Sequence, residues 1–135
     1  MIFRFFGLFL LLITLSACTE PPYNNIDNGT LKTMLEQGMP IYDVRRPDEW
    51  RQTGVIKNSR LLTFVDGSGR VKPDFLDKFT SAVGKNDPVI LICRTGNRTS
   101  SLARHLVEKM GYTQIYNVHD GITRWISEGN SVTQL

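Results

Sequence analysis

The stretch from Pro88 to Thr99 constrains this chain more than any other part of it, because a buried strand is joined to a helix there through a short loop carrying a cysteine. Val89-Ile90-Leu91-Ile92 is a continuous apolar run bounded by polar residues, the pattern of a parallel strand covered on both faces. From Thr99 onward Leu102, Ala103, Leu106, Val107 and Met110 recur at helical spacing, and Gly111 stands where a helix would stop. A strand-to-helix turn of this kind aims successive backbone N–H groups, and the positive end of the helix, at whatever fills its centre. Cys93 ends the strand, and Arg94 and Arg98 add two permanent positive charges. Each of these influences favours the thiolate, which is the nucleophile. A cysteine that only closed a strand would be a small buried hydrophobe. It would have no use for two arginines, a glycine that permits close backbone approach, and a helix start within six residues.

Elsewhere strands and helices alternate. Thr30 is placed to cap a short helix with Leu31, Met34 and Leu35, ended by Gly38. Pro40 to Val44 reads as a strand, and Pro47-Asp48-Glu49-Trp50 opens a short helix with proline and acidic residues in its first turn. Arg60-Leu61-Leu62 is another short strand and Asp66-Gly67-Ser68-Gly69 a turn. Pro73 to Val83 carries Phe75, Leu76 and Phe79 at helical spacing. Ile115 to Val118 reads as a last strand, and Gly121 to Glu128 as a closing helix with Ile122, Trp125 and Ile126 on one side. The alternation predicts an α/β fold in one domain, a central parallel sheet covered by helices on both faces, with functional loops at the carboxyl ends of its strands. A chain of 135 residues, 41% hydrophobic and 21% charged, can bury the core this requires. Its charge of +3 is spread along the chain rather than gathered in a basic run, which argues against a nucleic-acid partner.

The first seventeen residues stand apart: Arg4 precedes an apolar run, Phe5 to Ile13, of secretory-signal length and too short for a comfortable membrane span. Leu15-Ser16-Ala17-Cys18 resembles a bacterial lipobox at all four positions. The resemblance implies cleavage before Cys18 and its lipidation, each acyl chain contributing about 0.8 kcal/mol per buried CH₂. We therefore expect a lipoprotein signal peptide over 1–17, a polar tether with Pro21-Pro22 over 18–29, and the domain over 30–135. The expected location is the bacterial cell envelope, with Thr19 leaning toward the outer membrane facing the periplasm. Loss of Arg4 leaves 15 basic and 13 acidic residues, a balance of +2. Lipidation of Cys18 also leaves Cys93 as the single free thiol in an oxidising compartment, where an idle thiol is a liability.

Three separated motifs then resemble those of a single-domain rhodanese, a sulfurtransferase module, over roughly Leu31 to Gly129. They are Ile41-Tyr42-Asp43-Val44-Arg45-Arg46-Pro47-Asp48-Glu49-Trp50, the loop from Cys93 to Ser100, and Gly121, Trp125 and Gly129. Two positions depart from the family pattern. Gly54-Val55-Ile56 stands where Gly-His-Ile is usual, and Asp120-Gly121 replaces a Gly-Gly pair, placing an acid near the pocket mouth. The resemblance implies that Cys93 is the catalytic nucleophile, taking sulfane sulfur from a donor such as thiosulfate as a persulfide and passing it to a thiophilic acceptor. Arg94, Thr95, Gly96, Asn97 and Arg98 would bind the substrate through their amides, with Arg98 bracing the loop and Arg94 attracting an anionic donor. Asp43, Arg45 and Glu49 are expected to form structural ion pairs near the loop, and Trp125 to belong to the core or a pocket wall. A monomer with no cofactor is expected.

His105 falls at a solvated or partly packed helical position, and His119 lies in a loop that could approach the pocket. No cluster of His, Cys or carboxylates has metal-ligand spacing in the sequence, so a metal site is unsupported. One rival reading is a cysteine-dependent phosphatase or arsenate reductase. That loop pattern places five residues between Cys and Arg, and here there are four, a smaller ring suited to a single sulfur. The other is a carrier or binding module that holds persulfide without turnover.

Overall fold

The computed structural model describes residues 18–135, so the expected signal peptide, residues 1–17, lies outside the described residues. The elements in chain order are β1 (Asn24–Ile26), α1 (Asn28–Glu36), β2 (Ile41–Asp43), α2 (Pro47–Thr53), β3 (Arg60–Leu61), α3 (Phe75–Ala82), β4 (Val89–Ile92), α4 (Asn97–Met110), β5 (Ile115–Val118) and α5 (Gly121–Ser127). The strands form one parallel sheet in the order β1-β5-β4-β2-β3. The order reverses beside β4 and β2, and in open α/β sheets such a reversal leaves a crevice at the carboxyl ends. Cys93 follows β4 at that end.

Residues of β4 alternate between two cores. Val89 and Leu91 pack with Phe75 and Phe79 of α3 and with Leu102, Ala103 and Leu106 of α4. Ile90 and Ile92 pack on the opposite face with Leu31 and Met34 of α1 and Ile122 and Trp125 of α5. All four β4 residues are buried, which is why the run reads as uninterrupted hydrophobicity. Each apolar Å² buried here contributes roughly 25 cal/mol, so these contacts stabilise the sheet.

Residues 24–28 differ from expectation. They were expected in the tether, yet Asn24 to Ile26 pair in parallel with Tyr116 to Val118, and Asp27 rather than Thr30 caps α1 by accepting the Thr30 N–H at 2.8 Å. Three residues are too few to show periodicity, and Asn24 and Asn25 are exposed edge positions that look polar in sequence. The ordered domain therefore begins near Tyr23, which is buried and bonds through its hydroxyl to Ser100.

Candidate active site

Cys93 continues the alternation of β4 onto the α3 and α4 face, so its side chain turns under the first turn of α4 and is 1% exposed. The chain then reverses at Gly96, whose φ of +94° lies in the left-handed region that disfavours a side chain. That conformation turns the Gly96 N–H onto Cys93 Sγ at 3.2 Å. Thr99 Oγ1 lies 3.3 Å from the same sulfur and donates to the Gly96 carbonyl at 3.2 Å. Of the amides expected to ring the sulfur, that of Gly96 therefore reaches it. The completely buried Thr99 hydroxyl is a sulfur contact that sequence reasoning did not identify.

The loop is braced from both neighbouring strand ends. On the β5 side, the N–H groups of Ile122 and Thr123 donate to the carbonyls of Cys93 and Arg94 at 2.9 and 3.1 Å. A Cβ on Gly96 would overlap the His119 carbonyl, and one on Gly121, at φ +66°, would overlap the Arg94 carbonyl. The Asp120-Gly121 departure is thereby explained. Asp120, at φ −99°, needs no glycine, whereas Gly121 carries the close approach. The Asp120 carboxylate is exposed and lies 3.0 Å from His119 Nδ1.

On the β2 side the brace is electrostatic. Glu49 meets Arg98 as a fork, with Nη1 donating to Oε2 at 2.8 Å and Nη2 to Oε1 at 2.6 Å. The Arg46 N–H adds a bond to Glu49 Oε2 at 3.0 Å. Burial pushes the Glu49 carboxyl up, but the hydrogen bonds from Arg98 and Arg46 outweigh it and hold the group at about 2. Arg98 shifts upward, chiefly because it donates to Glu49. Beneath this pair, Arg45 and Asp43 meet at 2.7 Å with exposures of 1% and 0%. Asp43 Oδ1 also accepts the Trp50 indole N–H at 3.0 Å, and Arg45 donates to the Gly54 carbonyl and Thr53 Oγ1. A buried pair with its hydrogen bonds satisfied fixes geometry more surely than it adds stability. Of the three residues expected in ion pairs, Asp43 and Arg45 pair with each other, and Glu49 pairs with Arg98 of the loop and with Arg46.

A model of the rhodanese-like domain matches residues 27–128. The chain belongs to the rhodanese-like domain family. Among similar proteins, thiosulfate sulfurtransferase 18 of Arabidopsis thaliana is 29% identical over 107 residues, covering 76% of this chain and 77% of that protein. Thiosulfate sulfurtransferase GlpE of Pseudomonas fluorescens is 25% identical over 105 residues, covering 78% of this chain and 86% of its own. The crystal structure of Rv0390 from M. tuberculosis superposes with a TM-score of 0.70 at 27% identity, covering 84% of this chain and 99% of that one.

Within this rhodanese-like domain the remaining expected residues fall in three places. Arg94, Thr95 and Asn97 are exposed along the loop. Trp125 belongs to the core on the α1 and α5 face, its indole N–H donating to the Ser131 carbonyl at 2.9 Å. It also lines a groove of about 510 Å³ with Pro40 and Ile41, at the amino end of β2 and away from the loop. His105 is exposed on α4, and His119 reaches the loop through its backbone carbonyl while its ring faces solvent.

Proposed function

We propose that this rhodanese-like domain transfers sulfane sulfur through a persulfide on Cys93. The observation that carries the reading is the cradle itself: Sγ accepts from the Gly96 amide and adjoins the Thr99 hydroxyl inside a loop with four residues between Cys93 and Arg98. The Cys93 thiolate attacks the outer sulfur of a donor such as thiosulfate, the S–S bond breaks, and sulfite leaves with the electron pair. An acceptor thiolate or cyanide then attacks the outer sulfur of the persulfide, and the bond to Cys93 breaks to restore the thiolate. Backbone dipoles already aimed at sulfur stabilise its charge without reorganising during the reaction. The exposed Arg94 provides a cation that draws an anionic donor. Sulfurtransferases among the similar proteins support the same reading.

Hydrolysis of phosphate esters fits less well. A phosphatase relies on its arginine to grip the phosphate oxygens, and here the Glu49 carboxylate engages one N–H on each terminal nitrogen of Arg98 and offsets its charge. The purified domain should release sulfite from thiosulfate in the presence of cyanide and leave an aryl phosphate intact. Phosphate release that disappears in Cys93→Ala would contradict this.

We further propose that the domain works tethered to the bacterial envelope through a lipid on Cys18, which is exposed and precedes a polar, proline-containing segment. Cells grown with labelled palmitate should label the wild-type chain and not Cys18→Ala. Equal labelling of both would refute the anchor.

A further inference from the structure

Beside the catalytic loop, between the first turn of α4 and the segment following β3, lies a cleft of about 520 Å³. Phe64, Val65 and Val71 give it apolar lining, Arg46, Arg98 and Ser101 form its loop side, and the Asp66 carboxylate, paired with Arg70 at 3.3 Å, also lines it. Val65 and Val71 are bridged across a hairpin, with Asp66 N–H donating to the Arg70 carbonyl and Lys72 N–H to the Phe64 carbonyl, both at 2.8 Å. The apolar lining is therefore held in shape rather than loose. Val71 is nonetheless 51% exposed, an uncovered β-branched side chain beside the site.

Size and charge both bear on what the cleft accepts. Clefts of about 300–1,000 Å³ hold organic ligands of drug size, and a small inorganic oxyanion would fill little of this one. Its two guanidinium groups are already compensated, Arg98 by Glu49 and Arg46 by Asp48 at 3.2 Å and Glu49 at 3.8 Å. An added anion gains little from paired cations, whereas an apolar group gains by covering Phe64 and Val71. Because Sγ lies buried under the loop, only the transferred sulfur needs to reach it. The remainder of a donor must stay outside, and Arg98, a member of that loop, borders the cleft.

We infer that this cleft holds the organic group of the sulfur donor, so that the domain prefers sulfane sulfur carried on an apolar carbon skeleton over inorganic thiosulfate. The inference rests on the sulfurtransferase reading above. For an organic thiosulfonate, R–SO₂–S⁻, the Cys93 thiolate attacks the terminal sulfur and the S–S bond breaks. The sulfinate R–SO₂⁻ departs with the electron pair, leaving Cys93–S–S⁻, with charge and atoms conserved and no oxidant required.

The test compares persulfide loading of Cys93 by benzenethiosulfonate and by thiosulfate, each rate divided by that of the same donor with a free small thiolate to remove intrinsic reactivity. The aryl donor should be favoured by about tenfold or more. That preference should shrink several-fold in Val71→Asp, and also in the milder Val71→Ser. Equal normalised rates, or a preference unchanged in both variants, would overturn the inference and leave sulfur transfer standing. A dependence on the organic group confined to discharge by thiol acceptors would overturn it too, by giving the cleft to the acceptor. Absence of persulfide with either donor would remove the sulfurtransferase reading and this inference with it.

Discussion

The Thr99 hydroxyl has one hydrogen and two acceptors within reach, Cys93 Sγ at 3.3 Å and the Gly96 carbonyl at 3.2 Å. While the sulfur is protonated, the hydroxyl donates to the carbonyl. Once the sulfur is ionised, rotation toward it is favoured, because a hydrogen bond to a charged acceptor is about twice as strong as a neutral one. Thr99→Val keeps the volume and removes this donor, so persulfide formation should slow by about tenfold while folding stability falls by about 1 kcal/mol. Stopped-flow sulfite release measures the first and urea unfolding the second. An unchanged rate would mean that Thr99 only caps the turn. The sequence made Cys93, Arg98 and Gly96 legible because their residue types are costly to explain otherwise. Thr99 hid among helix-starting residues, since nothing in a threonine's identity shows which way its hydroxyl turns.

At the scale of elements, the catalytic loop is a junction held by its neighbours. The start of α5 holds two of its carbonyls, and Glu49 of α2 holds the first turn of α4 through Arg98. The second brace titrates. Glu49 has an ordinary value of 4.5 and is held at about 2 when folded, so the stability it contributes is complete above about 4.5 and is lost as pH falls toward 2. Glu49→Gln should therefore be less stable than wild type at pH 7, by about 1–2 kcal/mol after allowing for solvent screening. That gap should close between pH 4.5 and 2 in urea unfolding. A gap independent of pH would show that shape, not charge, is what Glu49 supplies. Glu49 and Arg98 each stand out in the sequence by residue type, but nothing there pairs residues 49 positions apart. α3 and α5 are readable from helical periodicity, and β4 from its unbroken apolar run. β1 was not, because an edge strand of three residues, two of them asparagine, carries no pattern to read.

At the scale of the whole molecule, the parallel sheet brings together at one end the start of α2, which carries Glu49, and the loops after β4 and β5, which carry Cys93 and His119. Fold class followed from alternation of strands and helices, and the position of the site followed from the fold class. How close the loops come is not written in the sequence: Gly96 and Gly121 leave no room for a Cβ. Because the chain packs from Tyr23 and β1 onward, the connection to Cys18 is short, with only residues 19–22 between Cys18 and the buried Tyr23. At about 3.5 Å per residue the extended link reaches roughly 17 Å, so a lipid-anchored domain would work close against its membrane. That Cys93 carries sulfur is open to direct observation by intact-protein mass spectrometry after thiosulfate treatment. The wild-type chain should gain one sulfur, mapped to Cys93 and removed by cyanide or a small thiol. No added sulfur on wild type, or an equal adduct on Cys93→Ala, would contradict it.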